Sequence, residues 1–558
     1  MRKNKVFSFT RIIHYTLIVS FFLMPFVSHS QVWQWGRMGN SNAGASCRHI
    51  VTDAYGNSLI AGNFNGNYIV FGADTIYNGG LTNVGLGNYL VKYNTAGNVM
   101  WAKSINDSTL DIEGMTSDAV GNIYICGGIS ASPFILGTDT LVIGPGSGSS
   151  YIAKLDPSGN IIWARTPPGS DSCRTIVFAI AVDNAGNVFM EGSFGADWLV
   201  FGADTLRSPP PALYSYNTFI GKFDASGNAL WGRQSSTGTA SGNGIVKTDY
   251  YGNVFISGYE DHPHFIFGTD TIDATGNASF LVKYNASGNQ MWTKGILADI
   301  FGLTTDRSGN VIATGVFFDT LVIGVDVLVD TGFMGYGWGF LAQFDSLGNE
   351  HWTKNIIGPS GISSAGTDDS GNVYVFGGYI DSIVIGTYSM TATGDEDILT
   401  AKYSNTGNLK WATHAGGTGF EIASSIAVDS SGTNIFITGG CRSTTVTFGA
   451  DVLDCTSDTY RHIYVAKLNP TIQLSVPSEL PQTTVSIYPN PAHDELTITG
   501  SKSIMSITIN DYVGHIVYNG KYNEPSATVP IGNLATGLYL VTIINYDGSK
   551  IVKKVIKE

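Results

Sequence analysis

The chain has 558 residues, with 69 Gly, 12% aromatics and only 13% charged residues. That profile suits a turn-rich all-β protein and argues against disorder, which needs low hydrophobicity and high charge. The first 30 residues hold four basic and no acidic side chains, which leaves 26 basic against 44 acidic, a net of −18; such a chain repels phosphate backbones, so nucleic acid is not expected as a partner.

Residues 1–30 read as a signal peptide. Arg2, Lys3 and Lys5 make a basic start, Arg11 precedes the apolar run Ile12–Val27, and Ser28 and Ser30 put small residues where a signal peptidase cuts, before Gln31. The run is short for a bilayer span of ~20 residues. No Cys follows the cut, and no later stretch is apolar enough to cross, so the mature chain is expected to lack a transmembrane segment.

Residues 31–470 repeat with a period of about 60–65 residues, the scale of stacked β or α repeats. Three motifs recur in order. The first, Asp-x-x-Gly-Asn, starts at Asp53, Asp118, Asp183, Asp249, Asp306 and Asp368, and at Asp429 with one residue inserted. Its Gly permits φ > 0 and its Asp caps the turn, so it links two strands, the second an apolar run such as Val254–Gly258. The second motif, Phe-Gly-x-Asp-Thr, stands at Phe71, Phe201 and Phe267, and in altered form at Leu136, Ile323, Ile385 and Phe448. It is expected to form an extra hairpin between the second and third strands. The third runs from a Lys through Gly-Asn to a Trp, as in Lys283–Trp292, Lys92–Trp101, Lys154–Trp163, Lys222–Trp231 and Lys402–Trp411, with Gln343–Trp352 lacking the Lys.

Lys467-Leu-Asn-Pro470 begins a seventh copy that stops before any Trp, while Trp35-Gly-Arg37 begins the mature chain with no hairpin before it. The two halves together complete the seventh repeat. The expected fold is therefore all-β: a seven-bladed β-propeller closed by the N-terminal strand, with strands a to d in each blade. An open solenoid would want polar capping repeats instead. These repeats resemble the bacterial β-propeller repeat family, whose units read roughly Asp-x-x-Gly-Asn-x-Tyr, then Lys-Tyr-Asp-x-x-Gly-Asn-x-x-Trp. That resemblance implies fold and no particular activity.

Residues 471–484, rich in Pro, Ser, Thr and Gln, read as a linker. Residues 485–558 alternate short strands with Gly turns, as a small C-terminal β-sandwich does. Tyr488-Pro489-Asn490-Pro491, Gly537-Leu-Tyr539 and the terminal Lys-Val-Ile-Lys resemble the type A C-terminal sorting domain of the type IX secretion system. The resemblance implies that the secretion machinery is a partner and that the chain is secreted or held on the outer surface of a Gram-negative bacterium.

No catalytic constellation stands out. His262 and His264 form the one His cluster of the repeats, with no third ligand signalled, so no metal centre is expected. Calcium at the Asp-x-x-Gly-Asn turns would need six or more oxygens where one Asp is offered, so the turn reads as structural and no cofactor is expected. The five Cys include Cys441 and Cys455, either a disulfide or two buried thiols. The aromatic insertions Tyr214 and Tyr216, and Tyr336 and Trp338, are the candidate ligand-binding residues, because binding groups sit on loops over a rigid frame. The expected function is binding of an extracellular glycan or protein. The alternatives are a polysaccharide lyase or glycosidase, or a structural envelope component.

Overall fold

The computed structural model describes residues 32–78, 87–105, 110–130, 133–142, 149–167, 169, 175–195, 198–207, 216–235, 240–260, 264–273, 278–331, 335–455, 461–469, 485–511, 515–546 and 550–558. The residues read as signal peptide and linker lie outside these. The chain divides into two compact units, Met1–Ile472 and Gln473–Glu558. Both are built of antiparallel strands, with no helix among the described residues.

A single four-stranded order recurs through the larger unit. In the first repeat, a is Ala45–Thr52, b is Ser58–Phe64, c is Gly87–Tyr93 and d is Val99–Ser104, paired a-b-c-d. The last repeat pairs Glu421–Val428, Ile435–Cys441 and His462–Asn469, and its fourth strand is Val32–Ser41 from the other end of the chain. Trp33 faces Leu468 and Trp35 faces Lys467 in that pairing. The same Lys-opposite-Trp register joins Lys92 to Trp101 and Lys283 to Trp292. Each a strand packs beside the next repeat's a strand, and Glu421–Val428 packs beside Ala45–Thr52. The Phe-Gly-x-Asp segments form two-stranded hairpins between b and c, such as Tyr68–Phe71 with Asp74–Tyr77 and Trp198–Phe201 with Asp204–Arg207.

The motif residues explain themselves locally. Asp249 accepts hydrogen bonds from the Tyr251 and Asn253 amides (both 2.9 Å) and from Asn253 Nδ2 at 2.7 Å. The Asp of the hairpin motif ties that hairpin to strand d: Asp204 accepts from Gly232 N at 3.2 Å and Arg233 Nη1 at 2.7 Å.

The Lys…Gly-Asn-x-x-Trp stretch is the joint between repeats. Lys222 Nζ and Trp231 Nε1 both donate to Ala286 O, in the c–d turn of the following repeat, at 2.9 and 3.3 Å. Lys283 and Trp292 do the same to Ser346 O, at 3.0 and 3.2 Å. At the chain's two ends, Lys467 and Trp35 donate to Thr95 O at 3.0 and 3.1 Å. The turn's Gly is required twice over: Gly288 has φ +79°, and a Cβ there would lie 2.8 Å from the Trp231 ring. Lys283 is buried over the Phe255 ring at 4.8 Å and faces Asp249 of its own repeat at 3.7 Å, as Lys222 is buried over Phe189 at 4.9 Å and faces Asp183 at 3.8 Å. Strand a adds another lateral tie. Thr248 Oγ1 donates to Val182 O, Thr305 to Thr248 O and Thr367 to Thr305 O, at 2.8, 2.8 and 2.7 Å.

The smaller unit has two sheets, one of Val485–Tyr488, Glu495–Gly500 and Ser526–Pro530, and one of Ile504–Asn510, Ile516–Lys521, Gly537–Asn545 and Lys550–Lys557. They share a core that includes Leu496, Ile498, Ile507, Val541 and Ile543. Asn490 clips the last strand on both sides, donating from Nδ2 to Lys554 O at 3.0 Å and accepting from Ile556 N at 2.9 Å. Tyr539 Oη donates to Ala535 O at 2.8 Å. Both X-Pro bonds of the Tyr488–Pro491 motif are cis.

Candidate functional site

The a strands enclose a cavity of ≈ 240 Å³, and every repeat contributes to its wall. A β-bulge decides which side chains reach it. In the first repeat the ladder with strand b shifts between Cys47 and His49, leaving Arg48 unpaired. The same shift leaves Phe178, Phe301, Ser363 and Ser424 unpaired in their repeats. A bulge bends its strand and re-aims the extra residue, and these five line the cavity. Opposite the bulge, strand b needs Gly: a side chain at Gly62 or Gly192 would collide with the carbonyl of Ser46 or Ile176.

The wall is basic and hydroxylated. Arg48, His49 and Lys247 line it, with Ser363, Ser364, Ser424 and Ser425, and no carboxylate stands among its described lining residues. Arg48 reaches sideways to Glu113 of the second repeat at 2.5 Å. Lys247 is open to the cavity but surrounded by protein, and that desolvation lowers its pKa. Burial, with Arg48 and Lys247 nearby, lowers His49 to about 4, so its imidazole is neutral at pH 7. Phe301 is 42% exposed, and Phe178 is half-buried. Such a site can hold an anionic or hydroxyl-rich group against aromatic faces.

The aromatic residues singled out from the sequence differ in exposure where they are described. Tyr214 lies outside the described residues. Tyr216 is half-buried and immediately precedes strand c of the third repeat, Asn217–Phe223. Tyr336 is exposed at 57%, whereas Trp338 opens strand c of the fifth repeat and is 7% exposed. Trp338 belongs to the core with Ile300, Phe317 and Phe340, because strand c starts two residues earlier than a loop reading allows. His262 also lies outside the described residues.

Among the described residues no three His, Cys, Asp or Glu side chains are placed to hold a metal. The turn carboxylates are engaged within their turns: Asp53 binds the Tyr55 and Asn57 amides, Asn57 Nδ2 and Lys92 Nζ. Burial alone would raise the Asp53 pKa, but Lys92 and Asn57 more than offset it, and the pKa is lowered. Cys441 and Cys455 form a disulfide. Cys47 and Cys126 are buried free thiols. Burial pushes Cys47 up to about 11, which removes it as a nucleophile.

Sequence reasoning missed the cavity residues. The signal was present five positions before each Asp of the first motif, where the cavity residues Arg48, Phe178, Gly244, Phe301, Ser363 and Ser424 differ from repeat to repeat, with Glu113, the partner of Arg48, at that place in the second repeat. Two positions later the chain keeps Ile50, Met115, Ile180, Val246, Leu303, Ala365 and Ile426 apolar.

Residues 486–558 match the family model described as the secretion system C-terminal sorting domain. Over 438 residues, 62% of this chain, the sequence is 24% identical to an uncharacterized WD repeat-containing protein of Acanthamoeba polyphaga mimivirus, and it spans 31% of that relative's length. Among solved structures, the chain is similar to a protein of unknown function from Dyadobacter fermentans, with 11% identity, 79% of this chain and 98% of that one covered, and TM-score 0.37. It is also similar to PorZ of Porphyromonas gingivalis, described as an essential bacterial surface component of the type-IX secretion system, with 13% identity, 92% and 70% coverage, and TM-score 0.28. The tail is thus a type IX sorting domain, which marks the chain for export to the cell surface or beyond.

Proposed function

We propose that residues 31–470 form a seven-bladed β-propeller closed by the N-terminal strand, exported behind a signal peptide, and that it works outside the cell by binding a glycan at the cavity between its a strands. The pairing of Val32–Ser41 with His462–Asn469 supports closure, as does the contact between the first and last a strands. A WD repeat-containing relative is in keeping with a propeller.

The observation that carries the binding role is the bulge position. On a recurring frame, it presents Arg48, Phe178, Phe301, Ser363 and Ser424 to one cavity. The third and fifth repeats, which supply Phe178 and Phe301, also carry the insertions with Tyr216 and Tyr336. Repetition maintains the scaffold, and variation at one shared place makes a site. A glycosidase would want two carboxylates flanking the bond, and the described lining offers none.

The test is a glycan array probed with the full mature protein and with Phe301→Ala and Lys247→Gln. The expected result is a defined glycan signal that falls about ten-fold or more in both variants. An unchanged signal in both would overturn the cavity as the site, and capture of a protein ligand with no glycan signal would overturn the ligand class. For export, a chain ending at Pro477 should stay inside the cell; its normal appearance outside would overturn the sorting role.

A further inference from the structure

A second pocket, of ≈ 250 Å³, lies away from that cavity, where the first repeat meets the last. The first repeat supplies Ser46, Asn63, Asn65 and the backbone around Gly44; the last supplies Arg442 and Arg461. A backbone hydrogen bond from Ala45 N to Arg461 O, 2.9 Å, joins the two sides. The Arg461 stem crosses Gly440, where a Cβ would meet its Cδ at 2.5 Å. Gly440 thus makes the room that lets the arginine lie into the pocket.

Among the described residues neither Arg442 nor Arg461 has a carboxylate within ion-pair distance. Arg461 Nε is buried and makes no hydrogen bond. Glu421 of the same repeat is occupied elsewhere, accepting from Gly417 N at 2.7 Å and from Ser443 Oγ. Burial, and after it the Arg442 charge, lower the Arg461 pKa, and Glu396 opposes them. Two like charges are therefore held side by side, with a buried donor unused. Leaving a charged group's donor buried and unsatisfied is costly, and two guanidinium groups lining one pocket favour an arriving oxyanion, since guanidinium pairs carboxylates in bidentate fashion.

The other side of the pocket offers amides and a hydroxyl. Ser46 Oγ donates to Asn63 Oδ1 at 2.6 Å, which holds that amide and leaves its Nδ2 donors for a ligand oxygen. Asn65 is exposed at the rim. The volume is below the roughly 300–1,000 Å³ of a drug-sized site and suits one ring. We infer that Arg442, Arg461, Asn63, Asn65 and Ser46 form a subsite for an acidic sugar residue, its carboxylate on the two arginines and its hydroxyls on the amides and the serine.

The test is calorimetric titration of the full mature protein with sodium glucuronate, glucose, sodium sulfate and an acidic tripeptide. Glucuronate should bind at least ten-fold tighter than glucose or sulfate, and Arg442→Gln and Arg461→Gln should each weaken it about ten-fold or more. Arg442 is exposed, so its variant remains informative even where Arg461→Gln fails to fold. Unaltered glucuronate affinity in Arg442→Gln, no glucuronate binding by the parent, equal binding of glucose, tighter binding of sulfate, or binding of the tripeptide in place of glucuronate would each overturn the subsite. Lys247→Gln reports on the cavity instead: glucuronate binding that falls in Lys247→Gln and not in Arg442→Gln would place glucuronate in the cavity and overturn the subsite.

Discussion

Changing Trp35 to Ala tests whether the chain's two ends are joined as every internal repeat is joined. Trp35 is 4% exposed. Its Nε1 donates to Thr95 O at 3.1 Å, and its ring lies on Gly97, where a Cβ would be 2.7 Å from Cδ2. The internal equivalent is Trp231, 8% exposed, with Nε1 to Ala286 O at 3.3 Å and its ring on Gly288 at 2.8 Å. Removing a buried Trp side chain costs about 3–5 kcal/mol, and the lost hydrogen bond about 1 kcal/mol more. For a unit of roughly 440 residues, unfolding entropy of about 2.1 cal/mol/K per residue makes ~4 kcal/mol a fall of about 4–5 °C in Tm. Guanidinium unfolding of the parent, Trp35→Ala and Trp231→Ala gives the comparison. The two variants should lose stability equally, within about 1 kcal/mol. A loss below about 1 kcal/mol for Trp35→Ala, beside a full loss for Trp231→Ala, would refute an equivalent joint at the ends.

Three further outcomes follow from the same contacts. Asp249→Ala strands the buried Lys283 charge and should cost about 3–5 kcal/mol, while Asp249→Asn with Lys283→Met should cost clearly less than the two single changes summed; additivity in a double-mutant cycle would remove the pair as a unit. His49 has its folded pKa lowered to about 4 from 6.5, so the unfolded chain takes up the proton first and stability falls as pH drops through that window, by at most about 3 kcal/mol. His49→Gln should flatten the fall, and parallel stability–pH curves for parent and variant would sink the assignment. The Cys441–Cys455 disulfide closes a 14-residue separation, so Cys441→Ser with Cys455→Ser should lower stability by about 2–4 kcal/mol; an unchanged midpoint with and without reductant would show that the crosslink adds nothing.

The Asp-x-x-Gly-Asn turns and the Phe-Gly-x-Asp hairpins were legible because their hydrogen bonds close within a few residues, as Asp249 closes on Asn253. The split seventh repeat was legible as a gap in a period: the Trp that Lys467 lacks is the Trp that Arg37 follows. The role of the Lys was only half legible. Its apolar stem pointed to packing, but its ammonium reaches both an Asp in its own repeat and a carbonyl in the next, as Lys222 reaches Asp183 and Ala286. Trp338 misled because aromatics beside Gly read as a loop, while strand c had already begun there.

The sequence by itself determined the all-β class, the number and order of the recurring motifs, and the sorting tail. Those depend on local turn chemistry and on spacing along the chain, which a linear reading preserves. Only the tertiary structure decided which residues share a site. Arg48, Phe178 and Phe301 are more than a hundred residues apart and come together because a one-residue bulge in each of their three a strands turns one side chain off the ladder and into the same cavity. Arg442 and Arg461 meet Ser46 and Asn63 because the last repeat packs against the first. A bulge shifts side-chain direction by one residue without leaving a motif, and a pocket between distant repeats has no signature in either segment, so both had to be read from the packed chain.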